Sequence, residues 1–119
     1  MKVKKPWGDF INIWREKGFN IKIINVKPNS RTSFQGHKKR DEVWFILRGT
    51  LYYQIENRVS KMKKCVGYLI PKNRKHRLIA KKEGGKIIEI SFGKFDERDI
   101  VRYEDDYGRL SKVKTKNYK

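Results

Sequence analysis

The segment Gln35–Gly49 reads QGHKKRDEVWFILRG and combines a strand pattern with candidate site residues. Its second half contains Val43–Leu47, a continuous apolar run that ends shortly before Gly49. Runs of this kind, rich in β-branched and aromatic residues and bounded by turn residues, are typical of strands. Because every residue of the run is apolar, we expect a strand that is buried on both faces. Its first half places His37 and Glu42 just before that strand.

Short strand-like segments continue on both sides of this stretch, separated by Gly, Pro or Asn. They are Phe10–Trp14, Asn20–Val26, Leu51–Ile55, Val59–Lys63, Tyr68–Ile70, Arg77–Ala80 and Lys86–Phe92. The alternation at the start of Asn20–Val26 predicts that one of its faces is buried, and the Gly84-Gly85 pair predicts a turn. About eight short strands at spacings near ten residues predict an all-β sandwich or small barrel. Only Glu97–Tyr103 has the pattern of a helical turn.

Length and composition favour one domain with a packed core. The chain has 119 residues, of which 37% are hydrophobic, and we expect a single domain over residues 1–110, followed by a basic, disordered tail over residues 111–119. No apolar run approaches the ~20 residues of a membrane-spanning helix, and the basic N-terminus lacks the apolar segment of a secretory signal. The lone Cys65 cannot form an intramolecular disulfide, so we expect a cytoplasmic protein. We interpret Cys65 itself as a small buried apolar residue.

The chain is strongly basic. It has 31 Lys and Arg against 13 Asp and Glu, a formal net charge of +18. Such an excess attracts polyanions, phosphorylated ligands or anionic membranes, although solvated lysine-rich faces are an alternative explanation. The sequence has no recognition-helix, zinc-finger or RNP-type pattern, so nucleic acid is not the favoured partner. A phosphorylated small molecule would need only a few of these cations.

The two histidines of the chain lie where the strands of a barrel can bring them together. Gln35, His37 and Glu42 can point to one interior, and His76 can join them from a distant strand. Imidazoles combined with oxygen ligands suit zinc, and an open coordination position would make the ion a Lewis acid. Two isolated histidines are also ordinary core or surface residues, and the spacing alone leaves both interpretations open.

Two motifs resemble those of the cupins. The first cupin motif is His-x-His, a few residues, Glu, six residues and Gly, which His37, Glu42 and Gly49 match. The second is Pro-x-Gly-x-x-His, which Pro71 and His76 match, with Asn73 in the Gly position; Asn tolerates the left-handed backbone that such a position requires. The resemblance implies a cupin-type double-stranded β-helix, a small β-barrel of the jelly-roll kind.

A closer resemblance extends over residues 5–109. It is to type II mannose-6-phosphate isomerases, the cupin module that ends bifunctional isomerase/mannose-1-phosphate guanylyltransferase chains. The segments that carry it, in order, are Lys5–Gly8, Lys27–Pro28, Ser33–His37, Asp41–Trp44, Ile70–Arg77 and Asp99–Arg109. The resemblance implies a role in carbohydrate metabolism and polysaccharide biosynthesis, and a homodimer in which residues 1–26 take part.

The resemblance also implies a site. A divalent transition metal is expected, zinc first, with Mn, Ni, Co or Fe as alternatives, and its ligands would be His37, Glu42, His76 and Gln35. Arg40 matches the Arg of the family's "HHHR" and is expected to bind phosphate or stabilise an enediolate. Lys39, with its neighbour Lys38, is a candidate to assist catalysis as a base. Further phosphate-binding candidates are Arg77 and Arg109.

The chain departs from the family at Lys39, which stands in place of the second cupin histidine. An ammonium cannot coordinate a cation and repels one nearby. A cupin without metal, in which Lys39 takes the place of the ion or pairs with Glu42, is therefore an alternative. The sequence also lacks the Gly-rich phosphate loop of the guanylyltransferase half, so that activity is not expected of this chain.

Three functions remain open at this point. The first is a metal-dependent isomerase that interconverts mannose 6-phosphate and fructose 6-phosphate. The second is a non-catalytic cupin that binds a sugar phosphate, a nucleotide sugar or another anion. The third is a polyanion-binding or partner-binding module with a vestigial pocket.

Overall fold

A computed structural model describes residues 1–94, 96 and 98–109, and these residues form nine strands of one antiparallel sheet. The strands are β1 (Lys2–Lys5), β2 (Gly8–Glu16), β3 (Phe19–Val26), β4 (Phe34–Gly36), β5 (Arg40–Ile55), β6 (Arg58–Lys61), β7 (Tyr68–Ile70), β8 (His76–Gly93) and β9 (Val101–Glu104). The described part of the chain contains no helix, and hence none that could cross a membrane. The all-β prediction is confirmed. The basic tail predicted for residues 111–119 lies outside the described residues.

The sheet curls into a half-barrel around its two long strands. The order β1-β2-β3-β8-β4-β9 runs along one path, and β5 pairs with β6, β7 and β8 off that path. β5 and β8 pair from Arg40 opposite Gly93 to Ile55 opposite His76, with two register shifts on the way. Bulges of this kind bend a strand and increase its twist, which curves the sheet.

The turn predicted at Gly84-Gly85 is wrong, because both residues continue β8. Gly85 lies opposite Gly49 of β5, and the two strands bend together there. A Cβ on Gly49 would lie 2.7 Å from the Gly85 Cα and would overlap the Gly84 carbonyl oxygen. The glycines therefore allow two backbones to pass closely at a corner. The two segments predicted before and after each corner are the two halves of one long strand, β5 or β8.

The prediction that Val43–Leu47 is buried on both faces is wrong. Trp44 and Ile46 are buried, whereas Leu47 is 48% exposed and the remaining residues are half-buried. The physical reason is that only the concave side of the curled sheet is covered by other strands. The convex side of β5 faces outward.

Two further predictions are wrong. Val101–Tyr103 of the predicted helical turn lie in β9, because pairing with β4 overrides the local pattern; Glu97 lies outside the described residues. Cys65 is exposed, because it occupies a turn with a φ of 63° where the backbone leads its side chain away from the core. Asn73, in contrast, has the left-handed backbone expected of it, with a φ of 66°.

The core fills the concave side of the sheet. Its buried apolar residues are Trp7, Phe10, Ile24, Val26, Trp44, Ile46, Leu51, Met62, Ile70, Leu78, Ala80 and Ile87. A second set of buried residues on this side is charged or polar and includes Lys22, His37, Arg40, Glu42, His76 and Glu89. Burying so many ionisable groups is costly unless they are paired or bind a ligand, so the functional site should lie among them.

Candidate functional site

His37, Glu42 and His76 meet in one buried cluster. Each offers one ligand atom, and these atoms all lie within 4.8 Å of one another. His37 follows β4, Glu42 lies near the start of β5 and His76 begins β8. The pairing of β8 with both neighbours, which sets His76 opposite Gln35 and opposite Ile55, draws these distant segments together.

Both histidines are fixed in one tautomer. The Nδ1 of His37 lies 2.7 Å from the Asp99 carbonyl oxygen, and the Nδ1 of His76 lies 3.0 Å from the Arg74 carbonyl oxygen. Because a carbonyl only accepts, each Nδ1 carries the hydrogen and each Nε2 presents a lone pair. These lone pairs face Glu42: His37 Nε2 is 3.5 Å from Oε2, and His76 Nε2 is 3.7 Å from Oε1.

The surroundings keep both imidazoles neutral. Burial, helped by the nearby Arg40 guanidinium, lowers the pKa of His37 to about 3. Burial likewise lowers the pKa of His76 to about 4, against the opposing effect of its hydrogen bond to the Arg74 carbonyl. The neutral imidazole is the form that binds a metal, and second partners on Nδ1 are typical of metal-ligating histidines.

The cluster fits a divalent transition metal. Glu42 Oε1 and His76 Nε2 are buried and have no hydrogen-bond partner. Leaving such a group unsatisfied costs about 1–3 kcal/mol. Both atoms are acceptors, so they cannot satisfy each other, but a cation between them would satisfy both. Two imidazole nitrogens and one carboxylate form a common ligand set for zinc and its neighbours.

Arg40 lies directly beside this cluster. Its Nε donates to Glu42 Oε2 at 3.1 Å, its Nη2 lies 3.2 Å from His37 Nε2, and its Nη1 donates to the Asp96 carbonyl at 3.3 Å. The cation paired with Glu42 is therefore Arg40 and not Lys39. Because Arg40 shares His37 Nε2 with the cluster, the guanidinium and a metal ion would compete for that lone pair.

The structure does not bring Lys39 or Arg77 into the site. Residues 38 and 39 form a bend, so Lys39 does not share the face of His37; its side chain is exposed beside Asp96 and Arg98. Arg77 is buried, but its guanidinium donates to the Thr32 carbonyl and to Glu104, and it does not line the cavity described next.

A cavity of about 350 Å³ opens beside the cluster, within the size range of small-molecule sites. Arg40, predicted to bind phosphate, and Gln35, predicted as a metal ligand, both line it. Gln35 accepts a hydrogen bond from Ser33 Oγ. Arg109 also lines it and is held by Asp105 at 2.9 Å. Three further cationic residues line its wall, although none of them was a predicted site residue: Lys5, Lys22 and Arg102.

Glu89 is the second acidic residue on the cavity wall and was also missed. It is 6% exposed, and its Oε2 accepts a hydrogen bond from Trp44 Nε1 at 3.1 Å. Burial, helped by the charge of Glu42 and opposed by Lys22, raises the pKa of Glu89 to about 7. A lone acid between Ile88 and Ile90 of a strand was the signal that could have found it.

The fold is that of the cupins. Over 99% of this chain and 34% of the other, the structure superposes on oxalate decarboxylase from Bacillus subtilis at pH 4.6, with a TM-score of 0.79 and 14% identity. A cupin-2 domain from Rhodospirillum rubrum matches over 83% of this chain and 76% of its own, with a TM-score of 0.67 and 17% identity. The cupin prediction is confirmed.

Within the cupins, this chain belongs to the family described as "Mannose-6-phosphate isomerase C-terminal", whose sequence model matches residues 1–105. A similar protein is the xanthan biosynthesis protein XanB of Xanthomonas campestris, 37% identical over 91% of this chain and 24% of that protein. Another is the mannose-1-phosphate guanylyltransferase ManC of Salmonella typhimurium, 34% identical over 92% of this chain and 23% of that protein. The chain spans about a quarter of the length of these curated relatives.

Proposed function

We propose that this chain acts as a metal-dependent phosphosugar isomerase, which interconverts mannose 6-phosphate and fructose 6-phosphate. The observation that carries the proposal is the pair of unsatisfied ligand atoms on Glu42 and His76, completed by His37, beside a cavity lined with cations. The family description and the name of ManC support a sugar phosphate as the ligand.

The proposed chemistry divides between the cluster and Arg40. His37, Glu42 and His76 would hold a divalent metal, zinc being the first choice. When bound, such an ion supplies positive charge for the oxygen anion that develops as a proton leaves the neighbouring carbon. Arg40 contacts two of these ligands and lines the same cavity, so its guanidinium can add a fixed positive charge beside the anion.

The remaining cations suit the phosphate group. Lys5, Arg102 and Arg109 line the cavity with Arg40. Arg109 is oriented in advance by two hydrogen bonds to Asp105, at 2.9 and 3.0 Å. A guanidinium held in place loses little freedom when it binds a phosphate. Trp7 and Phe10 supply an apolar wall for the carbon side of the sugar.

The test is an isomerisation assay in which NMR monitors the conversion of one sugar phosphate into the other. Protein loaded with zinc, manganese or iron should convert mannose 6-phosphate to fructose 6-phosphate. Treatment with a chelator should abolish turnover, and adding the metal back should restore it. His76→Ala should lose bound metal and turnover while its circular dichroism spectrum stays unchanged. If the metal-loaded parent binds the sugar phosphate without converting it, the isomerase proposal is wrong.

A second candidate is a cupin that binds a sugar phosphate, a nucleotide sugar or another anion without changing it. The observation in its favour is that Arg40 already contacts His37 and Glu42, while Lys39 removes a fourth family ligand. This candidate predicts that mannose 6-phosphate raises the melting temperature of the chelated protein, because a ligand that binds only the folded state stabilises it. Turnover would be absent with every metal.

We also propose that two copies associate through the convex face of the sheet. Cross-strand pairing aligns Trp14, Ile21, Ile90, Val43 and Leu69 in one row across five strands. Trp14 is 56% exposed and Leu69 is 59% exposed. A two-fold axis would let this row cover its copy in the partner, and the row includes residues of the 1–26 segment implicated in dimers.

A cytoplasmic location is proposed on the free, exposed thiol of Cys65. A reducing compartment preserves such a thiol.

A further inference from the structure

The carboxyl group of Glu89 has no place in the proposed metal cluster. Among the described residues, only Glu42 and Glu89 bring a carboxyl group to the cavity wall. Glu42 belongs to the proposed metal cluster, because it faces His37 and His76, and it also pairs with Arg40. Glu89 lies outside the cluster, so this buried acid is not needed to hold the metal and is free to take another role in the cavity.

The position of Glu89 is set by its neighbours on both sides. It lies on β8 between β3 and β5, opposite Lys22 on one strand and opposite Trp44 on the other. The indole N–H of Trp44 donates a hydrogen bond to Oε2 at 3.1 Å. Trp44 thus orients the group, and Glu89 lines the cavity in which a ligand would bind.

We propose that Glu89 is the catalytic acid–base residue of this pocket and carries the proton between C1 and C2 of a bound sugar phosphate. This inference rests on the proposed isomerase function. It assigns the proton transfer to a side chain that is distinct from the metal ligands and from the phosphate-binding cations.

The step balances without any further reactant. The Glu89 carboxylate takes the proton from C2 of open-chain mannose 6-phosphate. The electron pair of that C–H bond forms a C1=C2 double bond, and the carbonyl π electrons move to O1. The carboxyl then returns the proton to C1, using the electrons of the double bond. The proton of the O2 hydroxyl passes to O1, and the O–H electrons form the C2=O2 carbonyl of fructose 6-phosphate.

The electrostatics of the cavity favour this role. Burial and the negative charge of Glu42 raise the pKa of the Glu89 carboxyl to about 7, while the positive charges of Lys22 and Arg40 act in the opposite direction. A group that titrates near neutrality can both accept and return a proton. The histidines are less suited, because each uses Nδ1 for a backbone carbonyl and turns Nε2 toward Glu42.

The decisive variant is Glu89→Gln. An amide keeps the size of the side chain and an oxygen acceptor for Trp44, but it cannot take up the proton. With metal-loaded protein and an NMR assay, we expect kcat to fall at least ~100-fold, the lower end of the range for a general acid–base group. The affinity for mannose 6-phosphate and the metal content should stay at the parent values. Glu83→Gln, an exposed position on the same strand, is the control and should retain the parent kcat.

The outcomes separate this role from the proposed function. Parent-like turnover by Glu89→Gln would overturn the role of Glu89 and leave the isomerase standing. A parent without turnover would overturn the isomerase and this role together. If Glu89→Gln fails to fold or loses metal, Glu89→Asp decides, because it keeps the acid but withdraws it by one methylene. A reduced kcat at unchanged affinity supports the role, and an unchanged kcat contradicts it.

Discussion

At the scale of single residues, burial sets the protonation of this site. It lowers the pKa of His37 and His76 and raises the pKa of Glu89. Burial therefore shifts all three groups toward the neutral form, although two of them are bases and one is an acid. The common cause is that a charged group loses its hydration when it is buried.

These shifts predict how stability depends on pH. In chelator-treated protein, we expect the free energy of unfolding to rise from pH 5 to about 6.5. Unfolded histidines titrate near 6.5, whereas His37 and His76 titrate at about 3 and about 4 when folded, so the unfolded state binds more protons in this window. Glu89 opposes the trend, since its folded pKa is about 7 against 4.5 unfolded, but two histidines outweigh one carboxyl.

Urea unfolding at a series of pH values measures this dependence. His76→Gln, which removes one of the two titrating imidazoles, should flatten the rise. Stability that stays constant or falls between pH 5 and 6.5 in the parent would contradict the burial argument.

The sequence predicted part of this residue-scale picture. His37, Glu42 and His76 were expected to converge, and they do. Lys22 was missed because the alternation in Asn20–Val26 does not say which face is inside. Ile21 and Ile23 would form a natural inner face, but the structure buries the face of Lys22. Lys22 lines the cavity, so the face of β3 that carries it is the inner one.

At the level of elements, β5 and β8 bend together, and this shared bend brings Glu42 on one side of it close to His76 on the other. The sequence predicted strands on both sides of Gly49 and of Gly84-Gly85, yet it did not predict that each pair of segments is one strand. Glycines that end a strand and glycines that bend two paired strands look alike in a sequence. Only the pairing of Gly49 with Gly85 distinguishes them.

This bend predicts a difference between two matched alanine variants. Gly49 and Gly18 both have a φ of 80°, so an alanine should suffer the same backbone strain, about 1–3 kcal/mol, at either position. A Cβ at Gly18 meets no described atom within 4 Å, whereas at Gly49 it overlaps the backbone of Gly84 and Gly85. Gly49→Ala should therefore cost about 2 kcal/mol more in unfolding free energy than Gly18→Ala. Equal losses in urea unfolding would show that the close approach is absent.

Across the molecule, cationic residues line the cavity on the concave side of the sheet, and a row of apolar residues lies on the convex side. The net charge is +18, and part of it lines the cavity, where it favours an anionic ligand. The convex face instead carries the row of apolar residues that we propose as a dimer interface. The sequence could not locate this face, because Val43–Leu47 was expected to be covered on both sides.

The dimer proposal predicts opposite outcomes for two exposed apolar positions. Leu69 lies in the row and is 59% exposed, and Val59 lies on β6 away from it and is 54% exposed. Leu69→Glu should shift the protein from dimer to monomer, because the row would bring two like charges together at a desolvated interface. Val59→Glu should leave the dimer intact. Light scattering coupled to size-exclusion chromatography measures the mass; a monomeric parent would refute the interface.

We propose above all that His37, Glu42 and His76 hold a divalent metal beside a cationic cavity. The most direct test is elemental analysis of protein purified without chelators or a histidine tag. We predict about one equivalent of transition metal per chain, as for a single site of this ligand set, and its loss in folded His37→Ala and His76→Ala variants. A parent that takes up no metal after incubation with zinc, manganese and iron would contradict the claim.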